Sequence, residues 1–402
     1  MVSLVLGGGG ARGAYQAGVL RRVAEIRPDL PFSILVGSSV GSVSIAYLAS
    51  RAEAFAAAAD SLARLWAEVT VDQVFRSDSF SLSWIGLRWL RDLAGGGVIF
   101  GARARSLLDT APLSRLIMRH VRFEKIQPLI ERGILHAVAV IATSYATGQS
   151  VTFVQGHPEI RPWTRPHRIA VLTRLGVEHV LASCAIPFVF PAVRVGAEHY
   201  GDGNVRLSYP FSPAAKLGAS RIFAVSLRHP KDAAAAAVPM VQGYPPPAQV
   251  AGVLLNSVFL DSFDDDAAQL VRINSLLARG DGPSCLLELS PPLRPIDLFV
   301  IAPSRDLGRL ASAYQHHFPP VVRWLLRGVG IGETRSADLV SYLLFDRAYT
   351  QALLEIGYAD ASAQAGSIER FLEDSDLPTS RSDGPRACAA GRAAEAGGNP
   401  GP

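Results

Sequence analysis

The chain has 402 residues, 49% of them hydrophobic, and 39 Lys and Arg against 35 Asp and Glu give a net charge of +4. That length buries a sizeable core and allows two or three domain-sized units. The small charge demands no polyanionic partner, and the scattered arginines form no basic stripe with interleaved aromatics, which excludes nucleic acid as a partner.

In chain order, residues 2–6 form a first strand, too short and uncharged at its start for a signal peptide. Further strands are expected at 32–36, 137–142 and 151–154, and then at 222–227, 285–289 and 298–301. Helical patterns fill 14–26, 40–48 and 52–68, and later 253–277, with more helix to about 372. Strands alternating with helices predict an α/β fold with a largely parallel sheet and helices on both faces. Residues 230–247, rich in Ala and Pro, read as a surface loop. From 375 the sequence has almost no large apolar residues and is expected to be disordered. No apolar run approaches the ~18 residues of a membrane-spanning helix. Cys184, Cys285 and Cys388 lie too far apart for a disulfide framework or a zinc site. The expected location is cytoplasmic, with room for peripheral contact with a membrane.

The first strand leads into Gly8-Gly9-Gly10-Ala11-Arg12-Gly13, which contains G-x-G-x-x-G at Gly8, Gly10 and Gly13. A dinucleotide fold requires an acid at the end of the second strand, about 20 residues on, to hold ribose hydroxyls. Here the second strand runs into Gly37-Ser38-Ser39-Val40-Gly41 and supplies no acid, which argues against a nucleotide ligand. G-x-S-x-G between a strand and a helix is instead the spacing of a nucleophile elbow. Gly37 and Gly41 remove side chains that would collide across the tight turn, so that Ser39 is presented at the edge of the sheet. Taken alone the stretch also fits an ordinary Gly/Ser-rich turn. Both turns, however, follow strands that would lie side by side, so both open on the same edge. Backbone amides from Gly8, Gly9, Gly10 and Ala11 then become candidate donors to an oxyanion about 3 Å away. Arg12 fixes this loop, adds positive potential to it, or is a plain surface arginine.

A serine nucleophile needs a proton acceptor. Of nine histidines only His199 has a distinctive context, Glu198-His199-Tyr200-Gly201-Asp202-Gly203. Asp202, between two glycines, is the stronger candidate, although Asp-Gly is also a common turn dipeptide. The offset of three residues sends the two side chains in different directions on a strand or turn.

These motifs together resemble the patatin-like phospholipase family, which combines a G-G-G-x-R-G loop, a G-x-S-x-G elbow and a later D-G-[GA] motif. Here they read Gly8-Gly9-Gly10-Ala11-Arg12-Gly13, Gly37-Ser38-Ser39-Val40-Gly41 and Asp202-Gly203-Asn204. Similar too are Ala182-Ser183-Cys184-Ala185-Ile186-Pro187 and Ser341-Tyr342-Leu343-Leu344-Phe345, and the resemblance spans about residues 2–360. It departs at Asn204, where the family usually has Gly or Ala, and at Cys184, whose expected role is packing. The resemblance implies a three-layer α/β/α fold with a largely parallel central sheet and a helical C-terminal extension. Residues 1–213 would be the catalytic domain, 214–373 an α/β extension packed on it, and 374–402 the tail. It further implies a lipid acyl hydrolase of the phospholipase A, lysophospholipase or esterase type. Ser39 is then the nucleophile, Asp202 the base, and the loop from Gly8 through Gly9, Gly10, Ala11 and Arg12 to Gly13 the oxyanion hole. No metal or other cofactor is called for. The implied partner is a lipid met transiently at a membrane or micelle surface, with neither nucleic acid nor nucleotide.

For lipid access the sequence offers Leu82, Trp84, Ile85, Leu87, Trp89, Leu90 and Leu93, followed by glycines at 95–97. This segment is either a mobile interfacial cap or a helix packed on the core.

Overall fold

The computed structural model describes residues 1–76, 106–230, 247–278, 293–320, 322–323 and 338–373. The segment 82–93 with its glycines, the expected strand 285–289, the interior of the 230–247 loop and the expected tail lie outside these residues.

A ten-stranded mixed sheet runs in the order β10-β9-β1-β2-β3-β4-β6-β5. Its parallel centre consists of β1 (Val2–Leu6), β2 (Ile34–Ser38), β3 (Ala137–Ser144), β9 (Arg221–Val225) and β10 (Asp297–Ile301). All residues of β1, β2, β3 and β9 are buried, as continuous apolar runs covered on both faces require. β4 (Ser150–Gly156) turns back against β3, and β6 (Arg168–Leu172) and β5 (Thr164–Arg165) extend that edge. β8 (Glu198–Asp202) pairs antiparallel with the C-terminal end of β3, and β7 (Val193–Val195) pairs with β8. β5, β7 and β8 are too short or too polar to stand out in the sequence; β6, with the apolar run 169–172, is not among the expected strands. The second strand begins two residues later than its apolar run, because Phe32 leaves the ladder to pack its ring against Phe55 and Phe223. β9 and β10, which belong to the expected extension, continue the same sheet beside β1.

Two cores form, one on each face of the sheet. On one face lie α1 (Gly13–Ile26), α2 (Val40–Ala49), α3 (Phe55–Glu68) and the helix Arg347–Ala363. The last crosses α1 closely, and a methyl group on Gly18 or Gly357 would strike the backbone of Leu354 or Tyr15. The other core includes Val5, Val36, Ile141, Phe211 and Phe263. The single helix expected at 253–277 is divided: Pro247–Asn256 and Ser262–Ala278 are joined by a π-helical turn, Ser257–Asp261. Such turns are rare and cluster at functional sites; this one carries Phe259 to the glycine loop. Among the described residues no helix is long and apolar enough to cross a membrane.

Candidate active site

Leu6 of β1 pairs with Gly37 of β2, so the glycine loop and the elbow leave the sheet side by side at its C-terminal edge. Ser39 has φ 51° and ψ −129°, a left-handed conformation costly for a residue with a side chain. The turn is held from two sides. The Ser39 amide donates to Ser183 Oγ at 2.8 Å, and that hydroxyl donates to the Ile141 carbonyl at 2.5 Å. The Ser39 carbonyl accepts from the Ser42 amide at 2.8 Å and from the Ser42 hydroxyl at 2.5 Å. Both flanking glycines are sterically required: a Cβ on Gly37 would lie 2.7 Å from the Gly41 backbone, and one on Gly41 would strike the Leu6 carbonyl. Ser183 was visible in the sequence only as part of a resembling stretch, and its clamp on the elbow was not.

The glycine loop touches Ser39 directly. A Cβ on Gly8 would sit 2.8 Å from Ser39 Cβ and collide with Asn204 Nδ2. Gly10, at φ 57°, opens a short 3-10 turn from Gly10 to Arg12. In that turn the Arg12 amide donates to Gly9 O and the Gly13 amide to the carbonyls of Gly10 and Ala11. These two amides are therefore engaged within the turn. Gly13 begins α1, where any side chain would press on Val40 and Trp66. Arg12 is buried, which rules out the surface reading. Its Nε donates to Ser341 Oγ at 2.8 Å, its NH2 pairs with Asp338 at 2.9 Å, and its guanidinium lies 4.5 Å from the centre of the Tyr342 ring. The backbone carbonyl of Tyr342 in turn packs against Gly10. Arg12 thus clasps the loop to the segment Asp338–Leu343, more than three hundred residues away in sequence.

Asp202 ends β8 opposite Ala142 of β3 and is 0% exposed. Its Oδ1 accepts from the Asn204 amide at 2.9 Å and from Asn204 Nδ2 at 3.0 Å, while Oδ2 is buried without a hydrogen bond. The Ser39 hydroxyl is close enough to favour the carboxylate electrostatically, yet forms no hydrogen bond of normal geometry with it. Burial raises the carboxyl to a pKa of about 7, against the opposing pull of Ser39 and both Asn204 donors. The Asn204 side chain thus contacts the carboxylate directly, beside its own backbone amide. His199 is exposed on β8 and makes no side-chain hydrogen bond to Ser39 or Asp202.

From Ser39 a cavity of about 280 Å³ opens between α2, α3 and the helix Ala111–His120. It is walled mainly by apolar residues, among them Val43, Leu62, Trp66, Leu113 and Phe190, and Cys184 joins them. Burial pushes the Cys184 thiol pKa upward, so it packs as an apolar side chain. Among the described residues no group of three His, Cys, Asp or Glu side chains is placed to hold a metal ion.

The family model for patatin-like phospholipases matches residues 4–215. A search of curated proteins finds no match. Among solved structures the chain is similar to VipD from Legionella pneumophila, at 12% identity and a TM-score of 0.35, over 88% of this chain and 66% of that one. It is also similar to the ExoU–SpcU complex of the type III secretion system of Pseudomonas aeruginosa, at 16% identity and a TM-score of 0.29, over 85% of this chain and 74% of that one. The chain thus spans just under two thirds of the VipD chain.

Proposed function

The chain belongs to the patatin-like phospholipase family, and on that premise we propose that it is a lipid acyl hydrolase working through a Ser39–Asp202 dyad. The observation that carries the reading is the buried, unpartnered Oδ2 of Asp202 beside a serine held at positive φ. Ser39 Oγ attacks the ester carbonyl carbon as Asp202 takes the hydroxyl proton. The carbonyl π electrons move onto oxygen, and the resulting oxyanion is received by amides from Gly8, Gly9, Gly10 and Ala11. Collapse of the tetrahedral species breaks the bond to the alcohol, which leaves with the proton from Asp202. Water then attacks the acyl-Ser39 ester, Asp202 again takes and returns a proton, and the free fatty acid departs. A carboxyl with a pKa near neutrality suits both halves of this exchange.

The apolar cavity supports an acyl chain as the group transferred. Phe188, 78% exposed, lies two residues from both Ile186 and Phe190 of the cavity wall. That apolar rim supports substrate drawn from a membrane or micelle surface. The test is Ser39→Ala. The variant is expected to fold, to lose hydrolysis of phospholipids and p-nitrophenyl esters, and to escape labelling by a fluorophosphonate. Hydrolysis at the wild-type rate would place the nucleophile elsewhere.

A further inference from the structure

The cavity has a direction and a far end. Trp66 of α3 lies beside Val40 and Gly13 near the nucleophile, whereas at the opposite end the Tyr47 hydroxyl donates to Ser61 Oγ at 2.9 Å. α2 and α3 therefore run antiparallel along the cavity. Val40, Val43 and Tyr47 recur at helical spacing on the α2 wall, facing Leu62, Leu65 and Trp66 of α3. At the far end the Tyr47 ring carries Arg51 at 4.0 Å from its centre. His120 and Val121 also line the cavity. His120 has its pKa lowered by partial burial and by the charges of Arg119 and Arg51, which places it near the Tyr47 end. A floor made of Tyr47, backed by a guanidinium, is a poor place to push further methylenes.

Resting on the hydrolase reading, we propose that this cavity measures acyl chains and prefers those of about eight to ten carbons, with Tyr47 as the stop. Two magnitudes lead there. From Ser39 to Tyr47 the α2 helix advances about 12 Å, at roughly 1.5 Å per residue. An extended alkyl chain of tetrahedral C–C bonds advances about 1.3 Å per carbon, so about nine carbons span that distance. The cavity of about 280 Å³ has room for such a chain.

The test measures kcat/KM for p-nitrophenyl butyrate, octanoate, decanoate and hexadecanoate, dispersed as monomers in dilute detergent, with Ser39→Ala as blank. In the wild type the value is expected to rise roughly threefold to fourfold per methylene up to octanoate or decanoate, as buried apolar surface grows, and then to fall. Val43→Phe fills the middle of the cavity and is expected to lower the decanoate-to-butyrate ratio roughly tenfold. Tyr47→Ala removes the stop and is expected to raise the hexadecanoate-to-decanoate ratio. Each ratio is internal to one preparation, so partial misfolding of a variant does not alter it. A wild-type optimum at hexadecanoate, or ratios unmoved by both substitutions, overturns the chain-length inference while leaving the hydrolase reading standing. Absence of hydrolysis of every ester by the wild type removes the hydrolase reading itself, and this inference with it.

Discussion

Asn204→Ala separates the forces that set the protonation of Asp202. Burial lifts the carboxyl to about 7, and the opposing contacts are the Ser39 hydroxyl, the Asn204 amide and the Asn204 side chain. Alanine keeps the amide and removes only the side-chain donor, now 3.0 Å from Oδ1. A hydrogen bond to a charged group is worth about 1.5–3 kcal/mol, and one pKa unit is about 1.4 kcal/mol. Water admitted to the vacated space returns part of that, so the expected rise is about one unit, to about 8. On the proposed reading Asp202 works as a base, so the active form is the deprotonated one and activity is lost as pH falls through its pKa. The assay is the pH profile of kcat/KM with p-nitrophenyl octanoate, followed at the isosbestic wavelength of the product. The wild-type acid limb should have its midpoint near pH 7 and that of the variant near pH 8. Well below both midpoints the variant should be about tenfold slower, and the two should converge above pH 9. An acid limb that stays in place, or moves to lower pH, refutes the assignment of Asp202 as the base held by Asn204.

Asp202→Asn is expected to abolish turnover while His199→Ala retains it; the reverse pattern would install a histidine-based triad. The same Asp202→Asn has a stability signature. The folded pKa of about 7 lies above the ordinary aspartate value of 3.8, so the native state retains a proton that the unfolded chain releases, and stability declines as pH rises between those values. Asn carries no charge, so the variant should be more stable than the wild type at pH 8 by up to about 4 kcal/mol, a gap that closes near pH 4 on calorimetry. Gly9→Ala should lower kcat on the order of a hundredfold; its new methyl clashes with the end of the Leu227 side chain and lies at contact distance from Arg12 Cβ, so a shift of Leu227 lets the fold adapt, and a change confined to KM would count against the oxyanion role. Asp338→Ala leaves the Arg12 guanidinium buried without its carboxylate, at a cost of about 3–5 kcal/mol, and should depress both the melting temperature and kcat; unchanged values would show that the clasp is dispensable.

The elbow and the glycine loop were legible because glycine is required where backbone meets backbone, and such positions mark the sequence whatever lies elsewhere. Gly37 and Gly41 are of this kind. The central strands were legible for a related reason, since burial on both faces leaves an unbroken apolar run. The partners of Arg12 were not legible, because a guanidinium can find its carboxylate anywhere along the chain, and here it lies at Asp338. The hairpin of β7 and β8 was hidden for a different reason. It bears Arg194, Glu198 and exposed His199, and its pairing with β3 is decided by the sheet rather than by its own residues. Asn204 stood out in the sequence only as a departure from the family's motif, while its side chain supplies one of the two hydrogen bonds at Oδ1.

The clasp at Arg12 also bears on the order in which the protein becomes competent during synthesis. β1 leaves the ribosome well before its neighbour β9, which begins only at Arg221, and the partner of Arg12 follows it by 326 positions. At about 5–20 residues per second, roughly twenty seconds to a minute separates the glycine loop from the segment that clasps it. Until then the nascent chain carries Ser39 and its glycines without the contacts that hold them in register. On the proposed hydrolase reading, activity is acquired late, when most of the sheet is already paired. The long-range contacts, slow to form, would then double as a delay on catalysis.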